Sequence, residues 1–174
     1  EDTAGNFSDA VKKITIRTRD NVGPVVTQYF RNPETGNNPA SPRIADEIIL
    51  QFNEEVKVGA STVSLLEMKP KDLKEALENN FKLYYIDELD LNKHKLVESK
   101  TEANEDGVWV DYSQVTVRQV KGKEGCVEVV FLPNKAIKLA SGRTYYFRLS
   151  KVTDMTGNNP QGFENEYDPD LWYE

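Results

Sequence analysis

Apolar residues alternate with polar ones along most of the chain, and turn-forming residues separate the alternating segments. In residues 47–52 (EIILQF), for example, Ile48, Leu50 and Phe52 fall on one face. Because successive side chains of a strand point to opposite faces, this period of two predicts strands with one buried face. The pattern predicts eight or nine strands, within residues 11–18, 25–30, 47–52, 61–68, 82–87, 107–112, 114–120, 126–132 and 143–152.

One segment has the period of a helix instead. Residues 69–80 (KPKDLKEALENN) place Leu73 and Leu77 four positions apart, with an alanine between them on the same side. Pro70 suits a first helical turn, and two asparagines suit the end. We therefore expect one short inserted helix, at about residues 70–80.

Two stretches are expected to lack regular structure. Residues 31–43 (RNPETGNNPASPR) are rich in proline and asparagine, which predicts a long loop. Residues 92–106 are highly charged and are interpreted as a surface excursion. Many short strands and a single helix indicate an all-β fold, an antiparallel β-sandwich, because a parallel α/β fold needs a helix after nearly every strand.

Composition limits the functions that this fold serves. The 174 residues include 29 acidic and 22 basic ones, for a net charge of −7, and the basic residues are scattered. This argues against a nucleic-acid surface, which needs clustered positive charge. The excess acid favours divalent cations, or it is solvated surface.

The chain also lacks targeting and cross-linking signals. Cys126 is the single cysteine, so no internal disulfide is expected, which suits either a reducing compartment or a disulfide-free bacterial surface. No apolar run approaches the roughly 20 residues of a membrane helix, so no membrane insertion is expected. The chain starts at Glu1 without a leader, and we interpret it as a piece of a longer protein.

A short pattern, Asp-x-x-Gly-Asn, occurs twice, at residues 2–6 and 154–158. In the second copy Asp154 is expected to accept backbone hydrogen bonds and Gly157 to take a positive φ, which together make a tight turn. The alternative is a calcium site at a domain junction, because calcium takes six to eight oxygen ligands. The candidate calcium ligands are Asp154, Asn158, Asp20, Asp2 and Asn6.

Catalytic chemistry has few candidates. Glu54 and Glu55 are adjacent on a strand end and point to opposite faces, so they do not flank one glycosidic bond. His94 is the only histidine and lies in a lysine-rich segment, which leaves little for a triad or a zinc site. Cys126 is expected to be inert. Trp109 opposes the register of its valine neighbours and is a candidate carbohydrate-stacking residue, although most aromatics are expected in the core.

Three blocks together resemble the bacterial Ig-like repeats of S-layer and other cell-surface proteins. They are DNVGPVV at 20–26, IADEIILQFNEEV at 44–56 and LASGRTYYFRLSKVTDMTGNNP at 139–160. The middle of the chain, 57–138, carries more material than a typical repeat of that family.

The resemblance implies an Ig-like β-sandwich at residues 20–160, preceded by the end of another repeat or a connecting strand at 1–19 and followed by an acidic, aromatic linker at 161–174. The implied function is a non-catalytic structural module of an extracellular bacterial surface protein, which spaces and stiffens a tandem array, with calcium at its junctions. Its implied partners are neighbouring repeats and cell-wall polysaccharide. The alternative is a carbohydrate- or protein-binding accessory module of an extracellular enzyme or adhesin.

Overall fold

A computed structural model describes residues 20–37, 46–87, 90–99, 107–133, 135–140 and 143–161. The predicted strand at 11–18 and most of the linker at 161–174 lie outside these residues. The elements are β1 (Val26–Arg31), β2 (Glu47–Phe52), β3 (Val56–Val58), α1 (Pro70–Asn80), β4 (Phe81–Asp87), β5 (Asp90–Leu96), β6 (Trp109–Val110), β7 (Thr116–Gln119), β8 (Val127–Phe131), β9 (Ile137–Lys138), β10 (Arg143–Leu149) and β11 (Val152–Asp154).

The strands form antiparallel sheets. The first sheet has the order β1-β2-β8-β7, and the second has the order β10-β4-β5. Two short pairs, β3 with β11 and β6 with β9, complete the described part of the fold. The expected all-β class, an antiparallel sandwich with one short helix, is confirmed.

The core lies between the inner faces of the two large sheets. Phe52 of β2 meets Phe81 of β4 edge to face at 6.3 Å between ring centroids, and Phe131 of β8 lies 4.6 Å from Phe147 of β10. All four rings are at most 3% exposed. Burying such side chains contributes about 1.5–3 kcal/mol each, so these contacts hold the layers together.

The helix α1 occupies the predicted residues. Leu77 is fully buried, and Leu73 and Ala76 pack against the core. The helix starts at Pro70 and lacks a side-chain cap at Lys69. Among the described residues no helix has the length and apolar character needed to cross a membrane.

Three sequence expectations were wrong. Residues 61–68 form turns instead of a strand, because the Ser61 hydroxyl bonds to the backbone N–H and C=O of Val63 and draws the chain into a local loop. The apolar alternation there buries Leu65, whose N–H donates to Val56.

The charged stretch at 92–106 is not irregular throughout, since its beginning belongs to β5. This strand pairs with β4 at the edge of the second sheet, where exposed residues such as Lys95 are tolerated. The predicted strand at 143–152 is also interrupted, because Lys151 adopts φ +53° between β10 and β11.

Candidate metal centre

The second Asp-x-x-Gly-Asn segment forms a closed turn around one carboxylate. Asp154, at the end of β11, is 1% exposed, and its Oδ1 accepts the backbone N–H groups of Thr156, Gly157 and Asn158 at 2.8, 2.6 and 2.8 Å. Gly157 has φ +100°, a conformation that favours glycine. The turn predicted from the sequence is therefore present.

This turn holds the first described residues of the chain. The Asn158 side-chain amide donates to the backbone carbonyl of Asp20 at 3.1 Å. Gln161 donates its backbone N–H to the Pro24 carbonyl at 2.8 Å and its side-chain amide to the Gly23 carbonyl at 3.0 Å. We call this arrangement of residues 20–25 and 154–161 the junction clasp.

Only glycine fits at residue 23, because the backbone there lies against the backbone of Asn159. A Cβ at this position would lie 1.6 Å from the backbone oxygen of Asn159, far inside van der Waals contact. The next residues are fixed to β2 in turn, because the Val25 N–H donates to the Asn53 side chain at 2.6 Å. The clasp therefore joins three parts of the chain. They are residues 20–25, which we call the entry segment, the end of β2, and residues 154–158, which we call the closing turn.

Three carboxylates meet at the clasp. One oxygen from each of Asp20, Glu54 and Asp154 lies within 4.8 Å of the other two. Asp20 is exposed, Glu54 is half-buried and Asp154 is buried. No lysine or arginine of the described residues forms an ion pair with any of them. Within the described part of the chain, the cluster is thus a local concentration of negative charge without a paired cation.

The protein's own contacts shift the pKa values of two of these acids in opposite directions. Burial alone would raise the pKa of Asp154, but hydrogen bonds from Asn158, Thr156 and Gly157 outweigh it and place the pKa below its usual 3.8. Burial, together with the negative charges of Asp154 and Asp20, raises the pKa of Glu54 above its usual 4.5. The ionised form of Glu54 is therefore disfavoured at this position, and a nearby cation would stabilise it.

The hydrogen bonds limit what each residue offers a metal. Both oxygens of Asp154 already accept donors, including the Thr156 hydroxyl and the Asn158 amide. Asn158 faces the cluster with its amide nitrogen, which is a donor and not a ligand. A cation would accordingly take oxygens from Glu54 and Asp20 and be attracted by the buried charge of Asp154. Asp2 and Asn6, the other candidate ligands, lie outside the described residues.

Asp20 and Asp154 were predicted as calcium ligands, whereas Glu54 was interpreted as the end of a strand. Glu54 enters the cluster because it lies in the short connection from β2 to β3, and Val56 of β3 pairs with Asp154. That pairing joins residues about a hundred positions apart, and no local pattern encodes it.

The other candidate residues are placed elsewhere. Trp109 of β6 is half-buried between Val108 and Val110, which are 1% and 0% exposed, so the expected alternation is present. His94 is exposed and contacts the Tyr146 hydroxyl at 2.9 Å through Nδ1. Cys126 is half-buried, and its thiol contacts the Asn53 carbonyl at 3.1 Å.

A second charged group was not foreseen. On the face of the first sheet that points away from the core, Glu128 accepts from Arg31, Arg118 and the Tyr29 hydroxyl at 3.1, 3.1 and 2.7 Å. Arg31 also pairs with Glu47 at 2.6 Å. Glu47 and Glu128 are 8% and 4% exposed. Burial, followed by the hydrogen bond to Glu128, raises the pKa of Tyr29 to about 12.

The carboxylates of Glu47 and Glu128 thus pair with the guanidinium groups of Arg31 and Arg118 on one face of the sheet, and these ion pairs link β1, β2, β8 and β7.

Comparison with models of protein families, with curated proteins and with solved structures finds no match to this chain.

Proposed function

We propose that this chain is a non-catalytic structural module of an extracellular bacterial surface protein, which associates with neighbouring modules at its junction clasp and binds calcium there. The observation that supports the proposal is the meeting of Asp20, Glu54 and Asp154 beside the point where the chain enters the domain. The resemblance to bacterial Ig-like repeats supplies the setting.

The surroundings of the clasp suit contact with another module. Val22 and Val25 of the entry segment are 58% and 41% exposed, and Met155 of the closing turn is 37% exposed. A neighbouring module that docks here would remove these apolar side chains from water, which favours association. A neighbour that covers them would also exclude water from the acidic cluster and strengthen its attraction for a cation.

Calcium at this point would couple binding to stiffness. Without a cation the three carboxylates repel one another across the contact between the entry segment and the closing turn. A divalent ion would replace this repulsion with attraction and hold both segments together. The module would then present a fixed junction only where calcium is plentiful, as it is outside cells.

The test is thermal unfolding of the chain with calcium and with EDTA at matched ionic strength. A ligand that binds only the folded state stabilises it by about 2.7 kcal/mol at a hundredfold excess over Kd, which shifts the midpoint by several degrees. Glu54→Gln should abolish the shift, and Glu55→Gln, which makes the same change one residue away, should keep it. A chain that shows no shift, or one that loses it equally in both variants, has no calcium site at the clasp.

Association is tested separately by sedimentation velocity over a range of protein concentrations, in calcium. We expect self-association that Met155→Asp removes. A chain that remains monomeric at high concentration would contradict docking between copies at the clasp, whatever the calcium result.

A further inference from the structure

An open groove with a volume of about 550 Å³ runs beside α1, between the helix and the segment that leads from β3 to it. Its apolar floor is made of Val58, Val63, Met68 and Ala76. Val63 is 40% exposed, although most large apolar side chains of the described residues are buried. We call this feature the helix groove.

Val63 is held in place by its own loop. The Ser61 hydroxyl donates to the Val63 carbonyl at 2.9 Å and accepts the Val63 N–H at 3.2 Å. On the other side of Val63, Leu65 is anchored by burial and by its bond to Val56. The groove therefore exposes its apolar side chain on a fixed backbone, which lowers the entropy lost when a partner binds.

The rim of the helix groove is acidic. Glu67, Asp72 and Glu75 line it, against one basic residue, Lys69. All three carboxylates are exposed, and none is ion-paired within the part of the chain that the structure describes. This distribution attracts cationic side chains and repels phosphate groups, so it disfavours nucleic acids and anionic lipids.

We infer that the helix groove binds an extended basic peptide segment of a partner protein, with an aliphatic side chain on Val63 and lysine or arginine side chains at the rim. An open groove suits a peptide segment more than a small molecule, which needs enclosure by a concave pocket. The inference concerns residues separate from the junction clasp, so it stands or falls independently of calcium binding.

The probe is a fluorescein-labelled eight-residue peptide that alternates lysine and valine, measured by fluorescence anisotropy in low salt. We expect saturable binding that weakens about fivefold or more in the Asp72→Asn/Glu75→Gln variant, because two charge pairs are lost. The control is Glu34→Gln/Glu124→Gln, which removes the same charge from two exposed positions in other turns. This control should bind within twofold of the unmodified chain.

The apolar contact is tested with the same assay. Val63→Ser and the closely isosteric Val63→Thr should both weaken binding, as should a peptide with serine in place of valine. Circular dichroism melts of each variant establish that the fold is kept. Equal weakening in the two charge variants would show attraction by net charge alone and would overturn the inference. Absence of saturable binding, or equal binding of a glutamate–valine peptide, would also overturn it.

Discussion

The side-chain amide of Asn158 donates to the backbone carbonyl of Asp20 over 3.1 Å, although the two residues are 138 positions apart. The same amide donates to Oδ2 of Asp154 at 2.7 Å, so one side chain links the entry segment to the buried carboxylate of the closing turn. Asn158 is therefore a hydrogen-bonding link at the centre of the junction clasp.

Asn158→Ala should lower the free energy of unfolding by about 1–2 kcal/mol, because it removes the donor to the Asp20 carbonyl and one of the two side-chain donors to Oδ2 of Asp154. Urea unfolding measures the change. Asn37→Ala is the matched control, since Asn37 lies in an exposed turn and should change stability by less than about 0.5 kcal/mol. Equal losses in the two variants would contradict a specific role for Asn158.

Gly23→Ala should destabilise the protein more than Gly122→Ala. A Cβ at residue 23 meets the Asn159 oxygen at 1.6 Å, so the backbone of the clasp must move. Gly122 has φ +77° in open space, so alanine there meets only conformational strain of about 1 kcal/mol. Urea unfolding of both variants compares steric and conformational effects directly. The reverse order would mean that the entry segment does not rest on the closing turn.

The stability of the protein should fall in acid in part through Asp154. Its pKa is lower in the folded state than the usual 3.8, so ionised Asp154 stabilises the fold. This contribution is complete above about pH 5 and is lost as the pH falls through 3.8 towards the lower folded value. The free energy of unfolding, measured in urea from pH 3 to pH 7, should depend less on pH below pH 5 in Asp154→Asn than in the unmodified chain. An unchanged slope would exclude Asp154 as a source of acid sensitivity.

Ionisation of Glu54 should have the opposite effect on stability. Its pKa is raised in the folded state, so its ionisation opposes folding. This destabilisation is fully present once the pH is above the folded-state pKa of Glu54. Glu54→Gln should therefore be more stable than the unmodified chain at pH 7 in EDTA. Thermal unfolding should show this gain disappearing as the pH falls well below the usual 4.5, where Glu54 becomes protonated in both states. A destabilised variant would mean that Glu54 makes a favourable contact that outweighs the repulsion.

The charged network of the first sheet should be costly to break. Glu128→Gln leaves Arg31 and Arg118 with Glu47 as their remaining carboxylate partner of the network, and the loss of a hydrogen bond to a charged group costs about 1.5–3 kcal/mol. The exposed Glu124→Gln serves as the control in the same urea experiment. Similar stabilities of the two variants would show that the arginines are satisfied without Glu128.

The sequence predicted those features that depend on local pattern. The segment 47–52 is a strand over the predicted residues, and α1 covers the residues whose spacing favoured a helix. Asp154 and Gly157 formed the expected turn, because its chemistry lies within five consecutive residues. The same kind of local pattern also predicted the all-β fold class.

The features that were missed depend on distant partners. Glu54 joined the acidic cluster through the pairing of β3 with β11, and β5 became a strand because β4 offered it an edge. The turns at residues 61–68 followed from the Ser61 hydroxyl, which competes with strand pairing in a way that apolar alternation does not reveal. The expected membership of a repeat family stays a prediction.

The clasp also determines how the domain responds to mechanical load. Residues 20 and 161 lie at the same end of the described domain, so tension applied between them acts first on the hydrogen bonds at Asp20, Gly23 and Pro24. Residues 20–25 precede β1 and residues 155–161 follow β11, so these bonds would carry the load before the pairing of β1 with β2 does. Under tension, the chain would first lengthen by opening this end while its core stays folded.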